Sequence, residues 1–505
     1  MTELMKKAEA LKPILNKRKI YPLSAVSIVK DDDKFQNLGV IKDNQRGIDS
    51  LTFQNGDSVI LDFEQHCVGY LHLKISYMNR IADSPTVLKF TFGELPCEII
   101  TTEEEYHGGL GSGWIQTEII KIPFLPHILT LDRRYAFRFL KIEMLGKHAS
   151  FQVKIDDIYC MAESSADESK IIPLSSEFDP ELKRIDEVSI HTLKECMQDV
   201  FEDGPKRDRR LWIGDLRLQA QANHYTFKNY DLVKRCIYLF AGNLLENDAC
   251  APYVFPNSPP YVDNWSFTDY SLFFISVLYD YYHATNDKDI VEELFPIVKK
   301  QIRVAKSYLN DKDMIDGNPF IDWCPGLERT VAMQGILIYT FKQALQLAEL
   351  MNDATLRTEL SADIHRLTKA ALKNFDHTKG LFVSGDSKQV SWASQVWMVL
   401  ADVLSKEENQ KLLERLEQVN PEIKMHTPYM FHHYVEALFS NGKKEYAVEK
   451  IKEYWGGMLK YDIDCFLEVY NPDDEFESPY NDYVINSACH AWSCTPTYFM
   501  RKYLM

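Results

Sequence analysis

Residues 337–371 read LIYTFKQALQLAELMNDATLRTELSADIHRLTKAA, and this stretch decides the fold of most of the chain. Its apolar residues recur at helical spacing on either side of a break: Leu337, Phe341, Ala344, Leu345 and Ala348, then Leu356, Leu360, Ile364, Leu367 and Ala371. Apolar residues three and four positions apart form one face of an α-helix. Asn352 and Asp353 interrupt the pattern and supply a helix-capping residue. The stretch is therefore predicted to be a helical hairpin with a short turn.

Comparable helical segments recur from residue 187 or so to the C-terminus, about twelve in all. That number is too large for a four-helix bundle, and the lack of a strict sequence repeat argues against a solenoid. A toroid of six inner and six outer helices fits the number and the abundance of aromatic residues. Periodicity by itself indicates only a large, all-helical domain.

The first third of the chain has a period of two instead. Val59, Leu61 and Phe63 are apolar at every second position, and the same period recurs, with polar residues between, in residues 71–75, 88–92, 140–144 and 151–155. Short alternating strands separated by turn-forming clusters predict an antiparallel β-sandwich. Residues 162–170 are polar, small and acidic, and are predicted to be a linker. The predicted fold is thus multidomain: a β-sandwich over residues 1–165, followed by an all-α (α/α)6 toroid over residues 175–505.

The composition narrows the range of partners. The 505 residues include 57 Lys and Arg against 74 Asp and Glu, a formal net charge of −17, which repels nucleic-acid backbones. The apolar runs are too short to span a bilayer, and the N-terminus does not resemble a secretion signal. The ten cysteines contain no CxxC pair, a pattern typical of a reduced, intracellular protein. We therefore expect a cytoplasmic protein that binds neither nucleic acid nor membranes.

The first stretch that suggests chemistry is the loop DGPKRDRRLWIGD, residues 203–215. Gly204 and Pro205 cannot continue a helix, and the next helix is expected to begin where this loop ends. The loop combines several aspartates and arginines with a tryptophan. Arginines and carboxylates hydrogen-bond sugar hydroxyls, an indole stacks on the apolar face of a sugar, and a carboxyl group can donate a proton. The alternative is a solvated loop with surface ion pairs.

Two further stretches contribute candidates. Glu468 has only apolar or aromatic neighbours in the sequence, so it either turns outward or is held in a pocket for a purpose. His490 lies in residues 489–493, which are predicted to belong to the last helix, where a lone histidine is more often structural.

His432 and His433 are adjacent and therefore make poor joint metal ligands. No cysteine–histidine spacing resembles a zinc site, and the acidic run 473–477 lacks the spacing of an EF-hand. Neither a metal nor a cofactor is predicted.

The loop resembles a motif of the bacterial α-L-rhamnosidases, glycoside hydrolase family 78. The matching residues, in order and spacing, are Asp203, Pro205, Arg207, Asp208, Trp212, Gly214 and Asp215. Residues 269–272, 320–323, 427–429, 455–458, 466–468 and 489–492 follow in family order. The resemblance runs from about residue 187 to 503, and the strand region resembles the sandwich that precedes the barrel in such enzymes.

The resemblance implies an inverting glycosidase with Asp208 as the general acid and Glu468 as the general base. It also implies a substrate-binding set that comprises Asp203, Arg207, Trp212, Asp215, Trp265, Asp322, Trp323, His490 and Trp492. The family usually has Glu at the acid position, so the shorter Asp208 is a departure, and a tight pairing of Asp208 with an arginine would favour Asp203 or Asp215 as the acid.

The predicted function is therefore hydrolysis of a terminal α-L-rhamnoside or a similar small glycoside, with a carbohydrate as the only predicted partner and a homo-oligomer left open. Two alternatives stand beside it. One is a non-catalytic carbohydrate-binding barrel, and the other is a related (α/α)6 hydrolase that acts on another glycoside such as a uronide.

Overall fold

The computed structural model describes residues 2–44, 46–81, 83–146 and 151–505. The strands of the first domain are β1 (Asn16–Ile20), β2 (Ser24–Lys30), β3 (Leu38–Lys42), β4 (Ser50–Gln54), β5 (Ser58–Tyr77), β6 (Thr86–Gly93), β7 (Thr117–Ile122), β8 (His127–Thr130), β9 (Tyr135–Leu145) and β10 (Gln152–Ser164). Two short helices accompany them, α1 (Glu3–Ala10) and α2 (Pro96–Ile100). Each strand pairing among these described strands is antiparallel, as predicted.

Strand β5 organises the β-domain because it passes through most of the sheet. Its register against β9 shifts between Asp62 and Cys67, and β9 pairs with both halves of the strand. The first half also pairs with β2, whereas the second half also pairs with β8 and β10. The alternating apolar residues of β4, β5, β6, β9 and β10 meet in one buried core, which confirms the sandwich pattern read from the sequence.

The helical domain is a closed ring. Its helices are α3 (Pro180–Cys196), α4 (Ile213–Tyr225), α5 (Tyr230–Ala241), α6 (Thr268–Thr285), α7 (Lys288–Ser307), α8 (Thr330–Leu350), α9 (Ala354–Leu372), α10 (Trp392–Leu400), α11 (Lys406–Val419), α12 (Pro428–Ser440), α13 (Lys444–Met458) and α14 (Pro496–Phe499). Two small strand pairs lie between helices: β11 (Leu211–Trp212) with β12 (Tyr253–Val254), and β13 (Phe375–Asp376) with β14 (Leu381–Phe382).

The even-numbered helices form the inner wall of the ring. Helix α4 contacts α6, and the contacts continue through α8 and α10 to α12, while α14 returns to α4. Helix α6 is buried at every position from 268 to 278, whereas the outer helix α11 buries only four residues. A helix that is buried all round belongs to an interior, and a helix with one buried stripe belongs to a surface. The first helix of the ring, α3, packs against the last, α14, and this sixth pair closes the ring.

The hairpin that decided the fold forms as predicted. Helices α8 and α9 pack together, and Asp353 caps α9 by accepting a hydrogen bond from the backbone N–H of Leu356 at 3.0 Å. A side-chain oxygen at this position satisfies a backbone donor that has no partner within the helix. The turn between the helices is therefore set by local chemistry, and the packing of the hairpin by its apolar faces.

The segment predicted to be a linker is docked rather than free. Strand β10 continues to Ser164, whose Oγ donates to the backbone carbonyls of Lys194 at 2.8 Å and Met197 at 3.0 Å. The N–H of Ser165 also donates to the carbonyl of Met197. Small polar residues have no strong periodicity, and here they serve as hydrogen-bonding residues between the two domains.

Helix α1 also departs from the predicted domain boundary. The sequence places it in the domain of residues 1–165, but it packs against α5 of the ring. Lys7 forms an ion pair with Glu293 at 2.5 Å, and the guanidinium of Arg235 donates to the carbonyl of Ala8. Residues 3–10 are thus structurally part of the helical domain. Within the described ranges, no helix has both the length and the apolar character that crossing a bilayer requires.

Candidate active site

A cavity of about 190 Å³ lies where the inner helices α4, α6, α8 and α14 begin. It brings together ten of the eleven residues predicted for the site: Asp203, Arg207, Asp208, Trp212, Asp215, Trp265, Trp323, Glu468, His490 and Trp492. The four other lining residues are Phe267, Tyr270, Phe320 and Tyr480. The inner helices alternate along the chain with antiparallel outer ones, so the N-termini of the inner helices face one mouth and the loops that precede them converge there.

The guanidinium of Arg207 joins the two carboxyl groups predicted to be catalytic. Its Nη1 donates to Oδ1 of Asp208 at 3.0 Å, and its Nη2 donates to Oε2 of Glu468 at 2.6 Å. Its Nε donates to the carbonyl of Ile485, which fixes the plane of the group. Arg207 is buried, and the ring of Tyr480 lies 4.3 Å from its central carbon. Burial and several partners hold Arg207 in one orientation between the carboxyls.

Glu468 is buried but has donors on both carboxylate oxygens. Oε1 accepts from the hydroxyl of Tyr480 at 2.6 Å, and Oε2 accepts from the N–H of Ser487 at 2.8 Å in addition to Arg207. Burial alone would raise the pKa of Glu468, but Arg207, His490 and these hydrogen bonds lower it to about 2. The carboxylate is therefore ionised at neutral pH.

Asp203 holds the loop of residues 203–215 in place through backbone hydrogen bonds. Its two oxygens accept from the backbone N–H groups of Asp208 at 3.1 Å and Arg210 at 3.0 Å. Burial, together with the charge of Asp208, raises the pKa of Asp203 to about 8. Both oxygens are thus occupied within the loop, and the group binds a proton at neutral pH.

Asp215 and His490 leave polar atoms unpaired in the cavity. Oδ1 of Asp215 and Nδ1 of His490 are 3.7 Å apart, and neither has a hydrogen-bond partner among the described residues. Burial raises the pKa of Asp215 well above its usual range, with Asp203 and Glu468 adding to the effect. Burial lowers the pKa of His490 to about 4, so its imidazole is neutral at pH 7. Unpaired buried atoms of this kind are costly unless a ligand satisfies them.

Aromatic rings form the wall of the cavity. Trp265 and Trp323 are 39% and 37% exposed and lie at its rim, whereas Trp492 is buried and donates from Nε1 to the carbonyl of Glu468 at 2.9 Å. Trp212 meets Trp265 edge to face with ring centroids 6.5 Å apart. Flat apolar surfaces beside hydrogen-bonding groups are suited to a sugar, which has an apolar face and hydroxyl edges.

Two predictions need correction. Asp322 does not line the cavity: it is buried and accepts from Thr427 Oγ1 at 2.6 Å and from the N–H of His426 at 2.8 Å. It fixes the loop that carries Trp323 to the start of α12, because a buried carboxylate requires donors wherever it lies. His490 does not lie on the last helix, since it precedes a short 3-10 turn and α14 begins only at Pro496.

Sequence reasoning missed Tyr480, Phe267, Tyr270 and Phe320 as site residues. Tyr270 and Phe320 lie in stretches that matched family landmarks, so their positions carried a signal. Phe267 immediately precedes α6 and follows Trp265, one of the two rim residues, by two positions. Tyr480 follows the acidic run in an irregular segment, and no periodicity or motif distinguishes it.

A β-sandwich joined to a closed ring of six helical pairs, with carboxyl groups at the mouth of the ring, defines a six-hairpin glycosidase. Residues 22–162 match the family model described as the glycosyl hydrolase family 78 alpha-rhamnosidase N-terminal domain. Residues 176–504 match that of the bacterial alpha-L-rhamnosidase six-hairpin glycosidase domain. The chain belongs to glycosyl hydrolase family 78, the α-L-rhamnosidases, and is a glycoside hydrolase.

Solved structures agree with this assignment. The chain is similar to a rhamnosidase from Klebsiella oxytoca with rhamnose bound, at 39% identity over 99% of this chain and 98% of that one, with a TM-score of 0.95. The family 78 rhamnosidase of Bacillus sp. GL1 shares the fold at 21% identity over 88% of this chain and 46% of its own, with a TM-score of 0.76. An α-L-rhamnosidase from Dictyoglomus thermophilum shares it at 15% identity over 96% and 51%, with a TM-score of 0.71. Comparison with curated protein sequences gives no significant match.

These findings confirm the predicted family, the fold class and the glycosidase activity. They argue against a non-catalytic barrel and favour rhamnosides over uronides as the substrate class. The roles of individual site residues stay predictions, and so does the domain division near residues 165–175.

Proposed function

We propose that the protein hydrolyses terminal α-L-rhamnosides with inversion, with Asp208 as the general acid and Glu468 as the general base. The observation that carries this proposal is Arg207, which donates to both carboxyls in one sugar-sized cavity. An inverting glycosidase needs one carboxyl to protonate the leaving oxygen and another to take a proton from the attacking water. Membership of the α-L-rhamnosidase family supports rhamnose as the sugar.

The electrostatics of Glu468 support its role as base. The group is ionised at rest because the charge of Arg207 and the hydrogen bonds from Ser487 and Tyr480 outweigh the effect of burial. A carboxylate with a low pKa is a weak base toward ordinary water. Water that is attacking an oxocarbenium-like carbon becomes strongly acidic, so Glu468 needs to accept the proton only as the new bond forms.

The position of Asp208 supports it over Asp203 as the acid. Both oxygens of Asp203 are held by backbone N–H groups, so Asp203 cannot turn toward a leaving group without breaking the loop. Asp208 lines the cavity and its side chain is 16% exposed. In the free enzyme its partners are Arg207 and, at 3.7 Å, Arg210. This pairing with arginine is the arrangement that favours another aspartate as the acid, so the role of Asp208 requires a sugar hydroxyl to take over Nη1 of Arg207 and free Oδ1 of Asp208 for the leaving oxygen.

Asp215 is the second candidate for the acid. It has the raised pKa that a general acid requires and an unpaired oxygen in the cavity. Its partner His490 has an unpaired nitrogen, so the two groups also fit a role in holding sugar hydroxyls. We assign that binding role to them because they lie deeper than Asp208. Trp212, Trp265 and Trp323 provide surfaces on which the sugar and its aglycone stack.

A panel of nitrophenyl glycosides tests the substrate class. We expect 4-nitrophenyl α-L-rhamnopyranoside to be hydrolysed with a higher kcat/KM than the α-L-fucoside or the β-D-glucuronide. Proton NMR of the first product formed should show β-L-rhamnose, the inverted anomer. A preference for the glucuronide, or an α-anomer as the first product, would contradict the proposal.

We also propose that the enzyme acts in the cytoplasm. All ten cysteines are unpaired thiols, and nine of them are buried, as expected for a protein that remains in a reducing compartment. Fractionation of the native host followed by detection with an antibody tests this, and recovery in the medium or periplasm would contradict it.

A further inference from the structure

A second cluster of reactive side chains lies outside the cavity, between the sandwich and the ring. Three groups of potential metal ligands overlap there: His66 with Cys465 and Cys489, His66 with His191 and Glu195, and His191 with Asp464 and Cys465. Within each group, the ligand atoms lie no more than 4.8 Å from one another. None of these side chains lines the catalytic cavity.

The two histidines have free nitrogens in this cluster. Nε2 of His66 is bonded to Oε1 of Glu94 at 2.9 Å, which leaves Nδ1 buried without a hydrogen-bond partner among the described residues. Nε2 of His191 is also buried and unpaired, at 3.9 Å from the nearest oxygens of both Glu195 and Asp464. A metal-bound histidine typically has one nitrogen on the metal and the other on a carboxylate, as His66 has with Glu94.

The local fold brings the ligands together. His66 lies at the register shift of β5, and such irregularities re-aim side chains out of a strand's regular pattern. The N–H of Phe466 donates to Oγ1 of Thr192 at 2.9 Å, and the N–H of His490 donates to the carbonyl of Phe466 at 3.0 Å. These bonds hold the segments of Cys465 and Cys489 side by side against α3.

The charges also favour a cation. Glu195 is buried, and within the described part of the chain the cationic groups recorded within 4.0 Å of its carboxylate are the imidazoles of His66 and His191. Oε2 of Glu195 lies 3.4 Å from Nδ1 of His66 without forming a hydrogen bond. The carboxylate of Glu195 thus adds negative charge beside the cluster, and a divalent ion would balance the charge of two thiolates.

We propose that this cluster binds a Zn²⁺ ion, with His66, Cys465 and Cys489 as ligands and His191 as the fourth. Thiolate and imidazole are the ligands that zinc prefers, and four protein ligands make a closed, structural site. Zinc bonds of about 2.0–2.3 Å place tetrahedral ligands about 3.3–3.8 Å apart. His66, Cys465 and Cys489, whose ligand atoms lie within 4.8 Å of one another, therefore close by roughly 1–1.5 Å on the ion, whereas His191, which shares such a group with Cys465 but not with Cys489, moves further to complete the set.

The ion would fasten the sandwich to the ring directly behind the active site. In the sequence, Cys489 immediately precedes His490, and Cys465 lies three residues before Glu468. Zinc therefore fixes the backbone that carries two residues of the cavity, but it takes no part in the proposed proton transfers.

Metal analysis of the full-length enzyme, purified without a histidine tag, tests the site. Elemental mass spectrometry should find about one zinc per chain, and enzyme stripped with a chelator should take up one equivalent from ZnCl₂. The double variant Cys465→Ser/Cys489→Ser should lose this zinc. The control Cys236→Ser removes a buried thiol of α5 that is outside the cluster and should retain it.

Cobalt provides a readout that does not depend on the variants folding. Co²⁺ added to the stripped wild-type enzyme should give thiolate-to-cobalt charge-transfer absorption and the visible bands of a tetrahedral site. The proposal is overturned if folded wild-type enzyme with free thiols binds no zinc, or if the cobalt spectrum lacks the thiolate band. A Cys465–Cys489 disulfide in the native enzyme would overturn it as well, and would leave a metal-free network of histidines and carboxylates.

Discussion

Nη2 of Arg207 lies 2.6 Å from Oε2 of Glu468, although the two residues are 261 positions apart in the sequence. The same guanidinium holds Asp208 through Nη1. The planar guanidinium directs a separate N–H donor at each carboxyl and so fixes the orientation of both. The contact ties the loop before α4 to the segment after α13, on opposite sides of the site, and the predictions below follow from this arrangement.

Replacing Glu468 with Gln should lower kcat by about 10²–10⁴-fold with little change in KM. A general base acts chiefly in the transition state, so its loss affects turnover rather than binding. Steady-state kinetics on 4-nitrophenyl α-L-rhamnopyranoside provide the measurement. The matched control is Glu475→Gln, in the acidic run outside the cavity, which should keep near-normal activity. Near-normal turnover in Glu468→Gln would show that the base lies elsewhere.

Activated substrates should distinguish Asp208 from Asp215 as the acid. A good leaving group needs little protonation, so Asp208→Asn should retain much of its activity on a dinitrophenyl rhamnoside and lose it on an alkyl rhamnoside. If Asp215 binds the sugar, Asp215→Asn should lower kcat/KM on both substrates to a similar extent, mainly by raising KM. The reverse pattern in the two variants would make Asp215 the acid.

Tyr480→Phe should reduce kcat about tenfold or more and move the acid limb of the kcat/KM profile to higher pH. The hydroxyl donates to Oε1 of Glu468 and helps to lower its pKa, so its loss makes the carboxylate easier to protonate. A hydrogen bond to a charged group contributes about 1.5–3 kcal/mol. The control Tyr279→Phe removes an exposed hydroxyl bonded to Gln346 and should leave the profile unchanged. An unshifted acid limb in Tyr480→Phe would refute this account.

Asp203 should make the enzyme less stable as the pH rises from about 4 to about 8. Its folded pKa of about 8 exceeds the unfolded value of about 3.9, so in this window the native state holds a proton that the unfolded chain has released. The free energy of unfolding then falls with pH, by up to about 1.4 kcal/mol per pH unit for one group. In Asp203→Asn this contribution is absent, and urea unfolding at several pH values should give a flatter dependence. An unchanged slope would mean that Asp203 is ionised in the native enzyme.

Local sequence patterns determined the elements of this protein. The 3.6-residue period of residues 337–371 predicted α8 and α9, and Asp353 predicted the cap between them, because helix formation and capping depend on neighbours within a few positions. The alternation at Val59, Leu61 and Phe63 likewise predicted a half-buried strand. The order of the motifs was enough to predict the family and ten residues of the cavity.

Only the tertiary structure decided which of these residues meet and in what environment. Closure of the ring brings Glu468 and Tyr480 to Arg207, turns Asp322 away from the cavity, and docks the predicted linker on α3 and the residues after it. It also places His66 of the sandwich beside Cys465 and Cys489 of the ring, a juxtaposition without any spacing pattern in the sequence. Burial and charge in such places depend on residues hundreds of positions apart, so a pKa or a metal site emerges only when the chain has folded.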